Sequence, residues 1–114
     1  MTLIYKICSR ALWDEAEAAG VFTGASVDHS DGFIHFSTAK QVKETARRHF
    51  AGERDLVLIA VACEDLGDAL RFEPSRGGDL FPHLYSSLPL SRLRSVRELP
   101  LGPDGEHVFP RLPA

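Results

Sequence analysis

Hydrophobic and polar residues alternate along the chain in blocks that mark out most of its elements. Leu3 to Cys8 (Leu-Ile-Tyr-Lys-Ile-Cys) is rich in strand formers and predicts an opening strand. Ser9 stands where an N-cap belongs, ahead of a helix over Arg10 to about Ala19. Leu12, Ala16 and Ala19 give that helix a dry face, Asp14, Glu15 and Glu17 a wet one, and Gly20 a stop. Trp13 either packs against a sheet or caps a groove. Residues 21–32 carry Gly24, Ser26, Asp28, Ser30, Asp31 and Gly32, and read as a polar loop leading into a short strand, Phe33–Phe36. Thr38 followed by Gln41 satisfies a capping-box pattern, so a second helix is expected from about Ala39 to Phe50. Its inner face would hold Val42, Ala46, His49 and Phe50.

The second half of the chain is strand-like. Leu56 to Cys63 is an unbroken apolar run, the signature of a central strand buried on both faces. Glu64–Gly67 reads as a turn, Ala69–Glu73 as a strand, Pro74–Asp79 as a loop and Phe81–Tyr85 as a short extended piece. Pro89 and Pro100 bracket a last strand, about Leu93–Leu99, and a Pro- and Gly-containing tail should be irregular. Two helices among five or six short strands give an α+β fold. With 114 residues there is room for one hydrophobic core, so the expectation is a single domain over 1–114 with its core in about residues 2–100.

Composition narrows the function classes. Thirteen Lys and Arg against sixteen Asp and Glu leave a formal charge of −3, which offers no global field for coating nucleic acid. The charge is soft, because protonating the five His would reverse its sign. The longest apolar run is far short of the roughly 18 residues a membrane helix needs, and no basic stretch precedes an apolar region at the start of the sequence. A cytoplasmic protein with no membrane partner is the expectation. Cys8 and Cys63 lie in apolar contexts and read as reduced, buried thiols rather than nucleophiles. His29 and His35, with Asp28, Asp31 and His83, match no standard zinc spacing, so no metal is expected. No sequence feature fixes the oligomeric state.

Two stretches place polar groups where a strand meets a loop. In Asp31-Gly32-Phe33-Ile34-His35-Phe36-Ser37-Thr38, His35 and Ser37 are i and i+2 and would share one strand face. A His and a hydroxyl beside a helix N-terminus could hold a ribose or an anion. The alternative is that Ser37 and Thr38 only cap the helix and His35 is a satisfied core residue. In the second stretch, Arg76-Gly77-Gly78 precedes Phe81-Pro82-His83-Leu84-Tyr85. His83 and Tyr85 again share a face, glycine lets a backbone approach a ligand closely, and Arg76 could pair with phosphate oxygens. The alternative here is an ordinary glycine turn with a solvated Arg. A third reading makes Trp13, Phe22, Phe33, Phe36, Phe81 and Tyr85 a protein-interaction surface, which would require those rings to be exposed.

The two stretches, together with Tyr5-Lys6-Ile7 and Gln41, resemble a small bacterial family catalogued as domain of unknown function 952. The resemblance runs from about residue 2 to residue 110. By fold that family is grouped with the ADP-ribosyltransferase superfamily, which implies a split β-sheet whose cleft binds NAD. On that resemblance His35, Ser37, Thr38, Arg76 and Gly77 would contact a nucleotide such as NAD or ADP-ribose. His83 and Tyr85 would border the reacting ribose, and Glu98, by its order in the chain, is the candidate for a catalytic glutamate. The chemistry implied is ADP-ribosyl or 2′-phosphate transfer; the alternatives are a non-catalytic small-ligand module and the interaction domain above.

Overall fold

A computed structural model describes residues 1–114, apart from the side chain of Arg76. Among the described residues the chain forms three α-helices and nine strands, an α+β arrangement. The strands are β1 (Leu3–Ser9), β2 (Val21–Phe22), β3 (Ile34–His35), β4 (Ser37–Thr38), β5 (Leu56–Ala62), β6 (Leu70–Pro74), β7 (Leu80–Leu84), β8 (Leu88–Pro89) and β9 (Leu93–Leu99). The helices are α1 (Arg10–Ala19), α2 (Ser26–Asp31) and α3 (Val42–His49).

A four-stranded antiparallel sheet in the order β4-β1-β5-β9 forms the centre. Every residue of β5 is buried, as its unbroken apolarity predicts. Its side chains alternate between two cores. Val57, Ile59 and Val61 join Ile4, Cys8, Trp13 and Phe22 on one face. Leu56, Leu58 and Ala60 join Tyr5, Ile7, Val42 and Ala46 on the other. The first core is closed by α1 and by a three-stranded sheet in the order β3-β7-β6. The second is closed by α3 and by Phe109 and Leu112. The tail is irregular, as expected, yet it packs against the sheet and its Pro113 carbonyl accepts the Tyr5 hydroxyl.

Local signals explain most boundaries. The Ser9 hydroxyl accepts the Leu12 N–H at 3.1 Å, and Gly20 ends α1 at φ 79°. Trp13 is buried and packs against Phe22 with ring centroids 5.7 Å apart, which settles its role as a core residue.

The structure departs from the sequence expectation in three places that matter for the site. The supposed loop before residue 33 contains α2, a helix of six residues, five of them polar, with no apolar period to betray it. The second helix starts at Val42 rather than Ala39. Gln41 spends its side-chain oxygen on the Thr38 N–H (3.0 Å) in a turn that precedes the helix. His49, expected on the inner face, is exposed.

The third departure is the strand expected over residues 33–36. Ile34 and His35 pair with Leu84 and His83 in the three-stranded sheet, whereas Ser37 and Thr38 pair with Tyr5 and Ile4 in the central one. The Phe36 N–H bonds to the Pro82 carbonyl at 2.9 Å, and at this residue the segment crosses from one sheet to the other. Because β4 covers only Ile4 and Tyr5, the rest of β1 has a strand neighbour on one side alone.

Ile59 has no exposed surface, lies in the middle of β5 and belongs to the larger core. Ile59→Ala should lower unfolding free energy by about 2–5 kcal/mol. Urea denaturation measures this, and a loss under about 1 kcal/mol would contradict the placement of β5 at the centre.

Candidate functional site

The site grows from one buried acid. Asp28 lies in α2 with 2 % of its surface exposed, and it accepts hydrogen bonds from three directions. The Lys6 ammonium donates to Oδ2 at 2.9 Å and to Oδ1 at 3.1 Å. The Ala25 N–H donates to Oδ2 at 2.7 Å, which ties the start of α2 to its own third residue. His35 donates twice to Oδ1, from its backbone N–H at 3.1 Å and from ring Nδ1 at 2.6 Å. Burial pushes the Asp28 pKa up. The His35 hydrogen bond, the Lys6 charge and the Ala25 N–H outweigh it and hold the carboxyl well below the usual range.

Gly24 makes room for this acid. It adopts φ +106°, and a Cβ there would stand 2.7 Å from the Asp28 Cβ, so only glycine fits. The other ring nitrogen of His35, Nε2, meets Asp31 Oδ2 at 2.9 Å. Carboxylates only accept, so both contacts of the His35 ring are made at once by its doubly protonated form.

A second cluster lies across the β3–β7 ladder. Glu73 Oε1 accepts from His83 Nδ1 at 2.8 Å and from the Tyr85 hydroxyl at 2.7 Å. Glu73 sits opposite Phe81 on the neighbouring strand, so His83 is its diagonal neighbour on the same face. These bonds from Tyr85 and His83 lower the Glu73 pKa, and the Glu73 carboxylate in turn raises that of Tyr85. Phe33 stacks on the His83 ring at 4.1 Å and tilts against His35 at 4.6 Å and Tyr85 at 5.2 Å. The Arg71 guanidinium lies 5.0 Å over the Tyr85 ring. His83 itself is buried, and its Nε2 has no hydrogen-bond partner.

Both clusters border one cleft of about 800 Å³, open where β4 leaves β1 uncovered. His35, Ser37 and His83 line it, with Lys6, Asp31 and Ser75. The structure therefore brings together three residues drawn from the two sequence stretches. It does so by a route other than the shared strand face: the Ser37 hydroxyl turns to Thr45 of α3 at 2.8 Å, while His35 turns to Asp28. Tyr85 joins His83 on Glu73 and stays exposed at the edge of the cluster.

Other expected residues lie elsewhere. Thr38 is held by Gln41 and does not line the cleft. Gly77 sits in the turn after β6 at φ 68°, also outside it. Glu98 is on β9, where Arg10 pairs with it at 3.4 Å and 82 % of its side chain is exposed. The Arg76 side chain is outside the described residues. Of the six rings considered as a partner surface, Trp13, Phe22, Phe36 and Phe81 are buried and Phe33 half-buried, which leaves Tyr85 alone exposed. Among the described residues no group of three or more His, Cys, Asp or Glu is placed to hold a metal ion, and no helix is long and apolar enough to cross a membrane. Cys8 is buried as expected and burial pushes its thiol up to about 11, whereas Cys63 is only half-buried, its thiol shifted the same way.

Sequence reasoning passed over Lys6 and Glu73 as site residues and weighed Asp28 only as a metal ligand. Lys6 did leave a signal, since it occupies the face of β1 that Ile4 and Cys8 give to the core. A buried lysine needs an acid, and Asp28 answers it.

Asp28→Asn should therefore destabilise the protein by about 3–5 kcal/mol at neutral pH, because Lys6 keeps a buried charge without its counter-ion. The folded-state pKa of Asp28 lies below its unfolded value of about 3.9, so its contribution is complete above that pH. It is lost as pH falls towards the folded value, and the gap between wild type and variant should narrow in acid. Denaturation from pH 7 to pH 3 tests this; a gap that stays constant would show that Asp28 is not the ionised partner.

Comparison with known proteins places this architecture. No curated protein matches the chain. The crystal structure of protein CC0527 from Caulobacter crescentus is similar at 51% identity, covers 94% of each chain and superposes with a TM-score of 0.90. The solution structure of CC0527 is similar at 53% identity over 93% of this chain and 91% of that one, with a TM-score of 0.84. The model of the family described as protein of unknown function DUF952 matches residues 7–96, a span that holds Asp28, His35, Glu73 and His83. The chain belongs to the DUF952 family.

Proposed function

We propose that the cleft binds a nucleotide of the NAD or ADP-ribose type. The reading rests on one observation: His35 and Ser37 from one stretch of chain and His83 from another line a single cleft of about 800 Å³. That volume falls in the range of about 300–1,000 Å³ usual for small-molecule and cofactor sites. The opening between the central and the three-stranded sheet is in keeping with the ADP-ribosyltransferase-like split sheet that the family grouping implies. In this reading a ribose lies beside Ser37 and takes the place of the exposed Asp31 on His35 Nε2, while His83 and Tyr85 border the reacting ribose.

Binding is the part the geometry supports best. Transfer of an ADP-ribosyl or 2′-phosphate group would follow from positioning and from stabilising positive charge as it develops at the anomeric carbon. Glu98, the carboxylate expected for that second task, is exposed and faces Arg10 at 3.4 Å.

Isothermal calorimetry with NAD and with ADP-ribose tests the proposal on wild type, His35→Ala and His83→Ala. Binding below millimolar concentration is expected, weakened by about 1–3 kcal/mol in each variant as a hydrogen-bonding side chain of the cleft wall is lost. Absence of heat with either ligand at near-millimolar concentration would remove the cofactor reading. Binding of ADP-ribose with no consumption of NAD would identify a non-catalytic module.

A further inference from the structure

We propose that Glu73 is a positioning residue that fixes the tautomer of His83, so that Nε2 is an acceptor held for a hydroxyl of the bound ligand. The argument begins with the hydrogen-bond inventory. An ionised carboxylate only accepts, so the 2.8 Å contact to Glu73 Oε1 requires the proton on His83 Nδ1. In the neutral ring the other nitrogen then carries a lone pair. That nitrogen, Nε2, is buried and has no partner, and its side chain lines the cleft, so a ligand meets it once the groups covering it give way. A buried polar atom left in that state is costly, and a ligand that brings a donor to it regains the missing bond.

The surroundings hold the ring in place. Phe33 stacks on one face of His83 at 4.1 Å. The Tyr85 hydroxyl donates to the same Glu73 oxygen at 2.7 Å, so it both steadies the carboxylate and satisfies itself. Tyr85 does not compete for Nε2. The chemical class that fits is a ligand with a free hydroxyl, of which the ribose of a nucleotide is one; an oxygen of phosphate, which only accepts, does not match a lone pair. The choice of ribose rests on the proposed nucleotide reading, whereas the tautomer does not.

Two-bond nitrogen–hydrogen NMR spectra of the imidazoles, recorded without ligand at about pH 8, above the ordinary imidazole range, read the tautomer directly. Wild type should show His83 protonated at Nδ1 alone. Glu73→Gln should keep that pattern, because the amide oxygen still accepts, and Glu73→Ala should shift the ring towards a mixture or towards the Nε2-protonated form. Thermal melting of each variant separates this from unfolding. A wild-type ring protonated at Nε2, or an unchanged tautomer in Glu73→Ala, would overturn the role of Glu73 whether or not a nucleotide binds. Calorimetry then tests the hydroxyl: ADP-ribose should bind about tenfold more weakly to Glu73→Ala than to wild type, with Glu73→Gln close to wild type. Loss of affinity equal in Gln and Ala variants would mean that charge, not the tautomer, matters, and would overturn the proposal. If wild type binds no ADP-ribose, the nucleotide reading falls while the tautomer result stands on its own.

Discussion

Lys6 enters the protein from the same face of β1 as Ile4 and Cys8, and its charge has to be compensated without water. Asp28 does this, and the arrangement of the site follows from how Asp28 is itself held. An ion pair removed from solvent gains only if the remaining lone pairs are satisfied. Here the Ala25 N–H and both donors of His35 complete the set. The pair thus joins three separate pieces of chain: the central sheet through Lys6, α2 through Asp28, and the three-stranded sheet through His35. The location of the cleft between these pieces follows from that join.

The two histidines that face each other across the β3–β7 ladder are treated differently by their surroundings. His35 has a carboxylate on each ring nitrogen, a buried one at Nδ1 and an exposed one at Nε2. His83 has a carboxylate on one nitrogen and nothing on the other. Cross-strand partners in one ladder therefore differ, one bonded to an acid at both ring nitrogens and the other at one nitrogen alone. Phe33 lies between them and Tyr85 and keeps the three rings at fixed separations.

Much of this was legible in the sequence, and the parts that were not share a physical cause. The apolar run of β5, the Ser9 cap and the Gly20 stop are local signals, and they predicted local structure correctly. His35 and His83, chosen as polar residues at strand ends, line one cleft. What escaped were relations set by tertiary contact. Nothing between residues 26 and 31 shows helical periodicity, because α2 is stabilised by what Asp28 reaches rather than by an apolar stripe. Glu73 is unremarkable until β6 pairs with β7 and sets it diagonal to His83. Glu98 was chosen by order alone, and order says nothing about which edge of a sheet a strand will occupy.

The crossing at Phe36 carries a consequence for how this fold can vary. One residue separates a ladder in the three-stranded sheet from a ladder in the central sheet, and its N–H is fixed to Pro82. Strand side chains alternate with a period of two, so inserting or deleting a single residue here would invert one ladder relative to the other. His35 or Ser37 would then turn away from the opening. The two walls of the cleft are in effect geared together through one residue, so a change of length at this junction disturbs both at once.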